Sequence, residues 1–278
     1  MRLQDKVVLV TGSATGIGCA IAARVVAEGG RVVVHGLEAK LVAEVTERLN
    51  TAGQNPARRT GPTAVGHVEE LTNEGCPGRL VSLAIDTFGR LDGLVNNAAV
   101  ITTGDIHTTD AERFHRTLAV NTLAPLLLIQ AALSHLRASR GCVLNIGSVN
   151  AYCGEENLLP YSISKGGLMT LTRNLGDTLF REDGVRVNQI NPGWVLTENE
   201  IRRKRMHGLA DDWPSHLPKQ FCPAGRLLQP EEIAAAAIFW LADECGPVSG
   251  QVVDLEQHPF IGRNPPKTID TVPPPPTA

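Results

Sequence analysis

Tyr161 and Lys165 stand four residues apart, and Ser148 precedes the tyrosine by thirteen. On a helix, positions i and i+4 share a face, so the phenol and the ammonium would lie side by side. A cation beside a phenol favours the phenolate, which would let Tyr161 exchange a proton well below the pH its free side chain needs. A serine hydroxyl brought in from another segment could hold a substrate oxygen against that phenol. The chemistry is general acid/base catalysis at an oxygen. Alone, a Tyr-x-x-x-Lys pair reads first as a solvated helix face. It gains meaning if the chain also offers a site for a hydride donor.

The N-terminal segment offers one. Lys6 to Val10 is a short apolar, β-branched run that predicts a buried strand. Thr11-Gly12-Ser13-Ala14-Thr15-Gly16-Ile17-Gly18 follows at once, and Ile17, Ile21 and Val25 recur four apart up to a stop at Gly29-Gly30. Arg31 to Val34 predicts a second strand. Strand, glycine turn, helix and strand make a βαβ unit with its glycines at the helix start. Backbone N–H groups can there approach a pyrophosphate, and the helix N-terminus favours its charge. A glycine turn without ligand is the alternative, and the order of the elements argues against it.

The spacing Gly12-x-x-x-Gly16-x-Gly18 resembles that of the short-chain dehydrogenase/reductase family. Asn96-Asn97-Ala98-Ala99 is similar to its Asn-Asn-Ala-Gly element, and Asn121 in Val120-Asn121-Thr122 to its structural asparagine. Ser148, Tyr161 and Lys165 match its catalytic serine, tyrosine and lysine. Pro192-Gly193 with Thr197 is similar to its Pro-Gly-x-x-x-Thr clamp. The resemblance runs from about Leu3 to Leu255. It implies an NAD(P)-dependent oxidoreductase interconverting a secondary alcohol and a ketone, with catalytic Asn121, Ser148, Tyr161 and Lys165. Lys165 would also bond the nicotinamide ribose, and Asn121 would hold a water linking that lysine to solvent. The implied cofactor residues are Gly12, Ser13, Thr15, Gly16, Ile17, Gly18, Gly36, Leu37, Glu38, His67, Val68, Asn97, Ala98, Ala99, Tyr161, Lys165, Pro192, Gly193, Val195 and Thr197. Ser148, Tyr161 and Trp194 would meet substrate. Members usually assemble as tetramers or dimers.

Strands predicted near 63–68, 91–95, 141–146, 185–190 and 251–255 alternate with helices. That pattern implies an α/β fold: one doubly wound, Rossmann-like domain over 1–261, with a parallel sheet of about seven strands and helices on both faces. Asn50 to Gly61 predicts a loop. Asp110 to Gln130 predicts a long helical region that Pro125 would kink. Leu168, Leu171, Leu175 and Leu179 predict an apolar stripe opposite the Tyr161–Lys165 face. Pro230, followed by Glu231 and Glu232, predicts a helix start. Residues 262–278, rich in proline, predict an extended tail. In a doubly wound sheet ligands sit beyond the carboxyl ends of the strands, where the glycine turn, Asn96, Ser148 and Pro192-Gly193 all fall.

The chain has 278 residues, 42% hydrophobic and 20% charged, with a net charge of −3. That balance suits an apolar core and suggests neither a nucleic-acid nor a membrane partner. No apolar stretch of the roughly 20 residues a membrane helix needs stands out, nor does a leader segment, which makes the cytoplasm the default location. None of the six cysteines forms Cys-x-x-Cys, and no metal site is expected. Cys153 falls near the predicted site but reads as a small packing residue.

Cofactor preference rests on the end of strand two, Val34-His35-Gly36-Leu37-Glu38. Gly36 and Leu37 occupy the positions where the family's NAD aspartate and NADP arginine usually stand, and Thr15 replaces a basic residue common in NADP binders. Glu38 lies about 20 residues past the glycines, near the spacing of a ribose acceptor, so the reading leans to NAD. A helix-start acid is the equal alternative. Two further departures are Ala99 in place of glycine and His67 where an aspartate often meets adenine.

Residues 198–222 follow the Pro-Gly turn and predict a lid. Their Arg202, Arg203, Lys204 and Arg205 read first as one solvated helix face, and second as an attractor for an anionic substrate. Glu155, Glu156 and Asn157 read as exposed loop polarity or as contacts to a polyol. The competing functions are a β-ketoacyl thioester reductase, which would need a basic docking patch, and a non-catalytic dinucleotide-binding regulator, which would have no need of the intact tyrosine and lysine.

Overall fold

Four consecutive buried aliphatic residues, Val7–Val10, form β1, and the chain turns from it directly into α1, Gly16–Ala27. The computed structural model describes residues 1–53, 61–152, 154–206, 208–210, 212–219 and 221–259. After α1 come β2 (Arg31–Gly36), α2 (Ala39–Gly53), β3 (Ala64–Val68), α3 (Cys76–Phe88) and β4 (Gly93–Asn96). The second half adds α4 (Ala111–Leu118), α5 (Ala124–Ser139), β5 (Cys142–Ile146), α6 (Leu159–Asp183), β6 (Arg186–Pro192), α7 (Glu198–Met206), α8 (Pro230–Leu241) and β7 (Val252–Leu255). The seven strands are all parallel in the order β3-β2-β1-β4-β5-β6-β7, the doubly wound topology.

Period-two alternation splits the sheet's side chains between two cores. Val8, Val10, Val32, Val34, Leu144 and Ile190 pack under α1, α2 and α8. Val7, Leu9, Val33, Leu94, Val143 and Val187 face α3, α5 and the end of α6. Each such aliphatic side chain contributes roughly 1.5–3 kcal/mol when fully buried.

Several elements depart from the sequence reading. α2 continues through Gly53 into the segment read as loop; 54–60 lie outside the described residues. The long helix over 111–139 is interrupted not at Pro125 but by a π turn, Ala119–Leu123, that contains Asn121. Pro125 sits in the first turn of α5, directly after the π turn. This run, by length and composition, could cross a bilayer, contrary to the sequence reading; here Leu128, Ile129, Ala132 and Leu136 are buried in the sheet core. The stripe of α6 is also corrected. Tyr161, Ser164, Lys165, Leu168, Thr172, Gly176 and Leu179 share one buried face, so the apolar residues continue the chemical face rather than oppose it. Helix α8 starts at Pro230 as expected, closed by a capping box between Gln229 and Glu232. The predicted tail and Cys153 lie outside the described residues.

The carboxyl half of the sheet holds a buried polar ladder. Asn96 Nδ2 donates to Asn145 Oδ1 at 2.9 Å, Asn145 Nδ2 to Thr172 Oγ1 at 2.8 Å, and Thr172 Oγ1 to Gln189 Oε1 at 2.8 Å. Gln189 Nε2 then donates to Asn191 Oδ1 at 2.7 Å, and Asn191 Nδ2 to Asp254 at 3.0 Å. Asn96, Asn145 and Gln189 are register partners in consecutive strands. The ladder ends at the site, because Asn191 Oδ1 also accepts from the Ser148 N–H at 3.1 Å.

Candidate active site

The chain leaves β1 through Gly12 at φ 61°, where a Cβ would meet Ala98 Cα at 2.8 Å. Only glycine fits both that conformation and that approach. Gly16, at φ 53°, abuts Thr197 across the turn, with 3.3 Å between its ideal Cβ and Thr197 Cγ2. Gly18 is buried beneath the Asn97 amide. Asn97 donates to Thr11 O at 2.9 Å and Gly12 O at 3.0 Å, while Thr11 Oγ1 accepts from the N–H groups of Asn97 and Ala98. Ser13 is fully buried and clasps β1 to β2: its Oγ donates to Val10 O and accepts from His35 N. No side chain caps Thr15 at the head of α1, so the first-turn N–H groups remain for a ligand.

Above the carboxyl edge of the sheet lies a cavity of about 820 Å³. One end is walled by Gly36, Leu37, Glu38, Leu41, Glu70 and Leu71, beside the ends of β2 and β3. The middle is the glycine turn with Asn97, Ala98 and Ala99. The other end holds Ser148, Tyr161, Lys165, Pro192, Gly193, Trp194, Val195 and Thr197 under α7. Volume, glycine turn and uncapped helix start together fit a dinucleotide.

Ser148, Tyr161 and Lys165 converge as the spacing predicts, all buried. The Ser148 hydroxyl shares the cavity wall with the Tyr161 phenol and accepts from Asn150 N at 3.2 Å. Lys165 Nζ donates to Ile146 O at 2.7 Å and lies 5.7 Å from the phenol ring centroid. Burial lowers the lysine to about 8. Against the sequence reading, the Tyr161 phenol is raised, not lowered: burial outweighs the Ser148 hydroxyl and the Arg203 charge. Asn121 does not reach the cavity. Its amide donates to Val100 O and Ser164 Oγ, both at 2.9 Å, and its Oδ1 accepts from Val100 N, clamping the strand-four loop to α6.

His67 and Val68 also stay off the cavity wall. β3 ends with Val68 exposed, and His67 pairs with Glu69 at 2.9 Å; the next two residues, Glu70 and Leu71, form the wall instead. His67, Glu69 and Cys76 bring three metal-type donors within 4.8 Å of one another. The Arg79 guanidinium already takes both Glu69 oxygens and holds that carboxyl well below its usual range, while burial pushes the Cys76 thiol up to about 12. An ion would have to displace the guanidinium.

The four cations of α7 are divided. Arg202 and Arg205 are exposed; Arg203 and Lys204 turn into the cavity wall. Buried Glu200 gathers them. Arg203 donates to its two oxygens at 2.9 and 3.0 Å, and Trp194 Nε1 donates to it at 2.9 Å. Lys204 Nζ sits 4.9 Å from the Trp194 ring centroid, and Trp194 stacks on Trp213 at 5.4 Å. Glu155 lines the cavity; Glu156 and Asn157 do not. Sequence reasoning missed His35, Glu70, Glu200 and Glu256 as wall residues. Only Glu200, three and four residues before Arg203 and Lys204, carried a local signal.

A family model described as Enoyl-(Acyl carrier protein) reductase matches residues 12–256. An uncharacterized oxidoreductase of Thermotoga maritima is 32% identical over 260 residues, covering 92% of this chain and 98% of that one. Glucose and ribitol dehydrogenase of Daucus carota is 33% identical over 268 residues, covering 94% and 86%. The crystal structure of a 3-oxoacyl (acyl-carrier-protein) reductase from Agrobacterium tumefaciens C58 with NADP bound has a TM-score of 0.79 at 27% identity, covering 91% of this chain and 93% of that one.

Proposed function

The chain belongs to the short-chain dehydrogenase/reductase family, and from that premise we propose that Tyr161 is its general acid/base. The activity is NAD(P)-dependent interconversion of an alcohol and a ketone. When bound, the nicotinamide supplies or accepts the hydride. In reduction the Tyr161 hydroxyl gives its proton to the carbonyl oxygen; in oxidation the phenolate takes the proton of the substrate hydroxyl. Ser148 donates a hydrogen bond to the substrate oxygen as charge develops there. Lys165⁺, buried beneath the phenol, stabilises the phenolate and bonds the cofactor ribose. Gly12, Gly16, Ile17, Asn97, Ala98, Val195 and Thr197 hold the dinucleotide, with Trp194 toward the substrate. Asn121 acts by holding the walls together.

The observation that carries this reading is a buried phenol that lines the cavity with Ser148 and Lys165, at the end away from Glu38. Its raised pKa keeps Tyr161 protonated at neutral pH, ready to act as an acid, so ketone reduction falls and alcohol oxidation rises as pH increases. Tyr161→Phe tests it: kcat on a confirmed substrate falls roughly 10²–10⁴-fold while NADH binding is kept. Undiminished turnover refutes the assignment and favours the non-catalytic, regulatory reading.

We assign NAD as the preferred cofactor. Glu38 and Glu70 wall the ribose end, and no Lys or Arg among the described residues lines it, a setting that repels a 2′-phosphate. Residues 198–222 serve as the lid. The inward Arg203 and Lys204 favour a substrate with an anionic group. Their inward turn leaves Arg202 and Arg205 alone as an outer basic patch, which weakens the β-ketoacyl carrier reading. Exposed Leu123, Leu127 and Ile163 support a homo-oligomer, dimer or tetramer.

A further inference from the structure

We infer that His35 is a positioning residue for the dinucleotide, a neutral imidazole that locks the glycine turn to the far wall of the ribose end. The inference rests on the cavity being the cofactor site. His35 is 2% exposed at the end of β2 and lines the cavity. Its Nδ1 lies 3.2 Å from the Gly12 N–H, which can only donate, so Nδ1 must accept. The proton is therefore on Nε2, which donates to the Glu69 carbonyl at 2.8 Å. One ring thus joins the turn after β1 to the loop after β3, whose next residues, Glu70 and Leu71, are cavity wall. The His35 main chain reinforces the link, its N–H donating to Ser13 Oγ at 3.0 Å and its carbonyl accepting from Ser13 N at 2.8 Å.

Protonation would end the arrangement. An imidazolium carries N–H on both nitrogens, so Nδ1–H would face the Gly12 N–H, donor against donor. The titratable groups facing the ring are His67, its register partner on β3, and Glu69 and Glu70 beyond it; the turn after β1, Thr11 to Thr15, has no titratable side chain. Burial outweighs these carboxylates and lowers the His35 pKa, which keeps the ring neutral through the neutral range. Binding of the dinucleotide should then weaken as pH falls below that range.

The test is NADH and NADPH affinity by nicotinamide fluorescence from pH 8 to about 5.5, with thermal melts of the cofactor-free chain alongside. Wild type should bind at pH 8 and weaken several-fold toward pH 5.5. His35→Gln, whose amide can accept from Gly12 and donate to Glu69 without titrating, should stay within about threefold of wild type at pH 8 and lose the acid weakening. His35→Leu, which can do neither, should bind about tenfold more weakly at every pH with kcat at saturating cofactor little changed. The inference is overturned if His35→Gln keeps the wild-type pH profile, if affinity instead tightens as pH falls, or if His35→Leu binds like wild type. Failure of wild type to bind either nucleotide at pH 8 sinks the cofactor-site reading itself. If His35→Leu does not fold, the glutamine variant and the wild-type pH series still decide.

Discussion

At the glycine turn in the middle of the cavity the wall is main chain, glycine and small side chains, fixed by hydrogen bonds from Asn97, Ser13 and His35. At the α7 end it is long side chains: Glu200, Arg203, Lys204 and Trp194 joined in one ionic and aromatic cluster. A site made of backbone has no freedom to change shape without changing the fold. A site made of long side chains can exchange its chemistry while the helix beneath stays put. The first arrangement suits an invariant ligand, the second a variable one.

Gly12→Ala should break the contrast hardest. Positive φ and the approach of Ala98 leave no room for a methyl, and strain with overpacking should cost about 2–3 kcal/mol and weaken NADH at least roughly thirtyfold. A side-chain amide removed at the α7 end, by Asn199→Ala at the cavity wall for example, should leave NADH affinity within about threefold. Equal losses at both places, read by fluorescence titration, would erase the distinction.

Lys165→Met should separate catalysis from stability. The native lysine titrates at about 8, against an ordinary value near 10.5. Below pH 8 the fold holds a buried charge at a cost of about 3 kcal/mol, which disappears as pH rises toward 10.5. Wild type should therefore gain stability between pH 8 and 9.5, and the methionine variant should lack that gain. At pH 7 the variant should be inactive yet more stable by about 1–2 kcal/mol, the lost bond to Ile146 O offsetting part of the relief. A less stable variant at pH 7 in denaturant melts would contradict this.

Glu200→Gln sharpens the comparison at its soft end. Without the carboxylate, Arg203 and Lys204 face the cavity uncompensated. Substrate KM should shift about 3–10-fold while NADH affinity holds within about twofold. The smallest effect is expected of Glu38→Gln, which should narrow the preference for NADH over NADPH by about 2–5-fold. An unchanged ratio would make Glu38 a bystander.

The two regions also differ in how far the sequence revealed them. Gly12, Gly16 and Gly18 were legible because few residues other than glycine satisfy the turn, and Ser148, Tyr161 and Lys165 because their chemistry needs those types. The parallel sheet with helices on both faces followed from strands alternating with helices; its strand order did not. His35 was not legible, since its partners Gly12 and Glu69 meet it only through the sheet. Arg203 and Lys204 sit in a run of four cations with no apolar period to say which turn inward. The stripe of α6 was misjudged because Ser164, Lys165 and Thr172, polar by type, are buried by the ladder and the cavity on either side. The break in the long helix falls where the Asn121 amide bonds Val100 and Ser164, a long-range demand the local sequence does not carry.

The ladder from Asn96 to Asp254 has a consequence for how the sheet assembles. Parallel strands of valine and isoleucine pair almost equally well in neighbouring registers, because one apolar side chain replaces another. An amide does not tolerate that exchange. Sliding β5 by two residues against β4 or β6 would leave several amides opposite hydrocarbon, each penalised by about 1–3 kcal/mol. The rungs therefore act as alignment pins that penalise a misregistered sheet relative to the correct one. Backbone amides beside the rungs should then exchange with deuterium only through global unfolding.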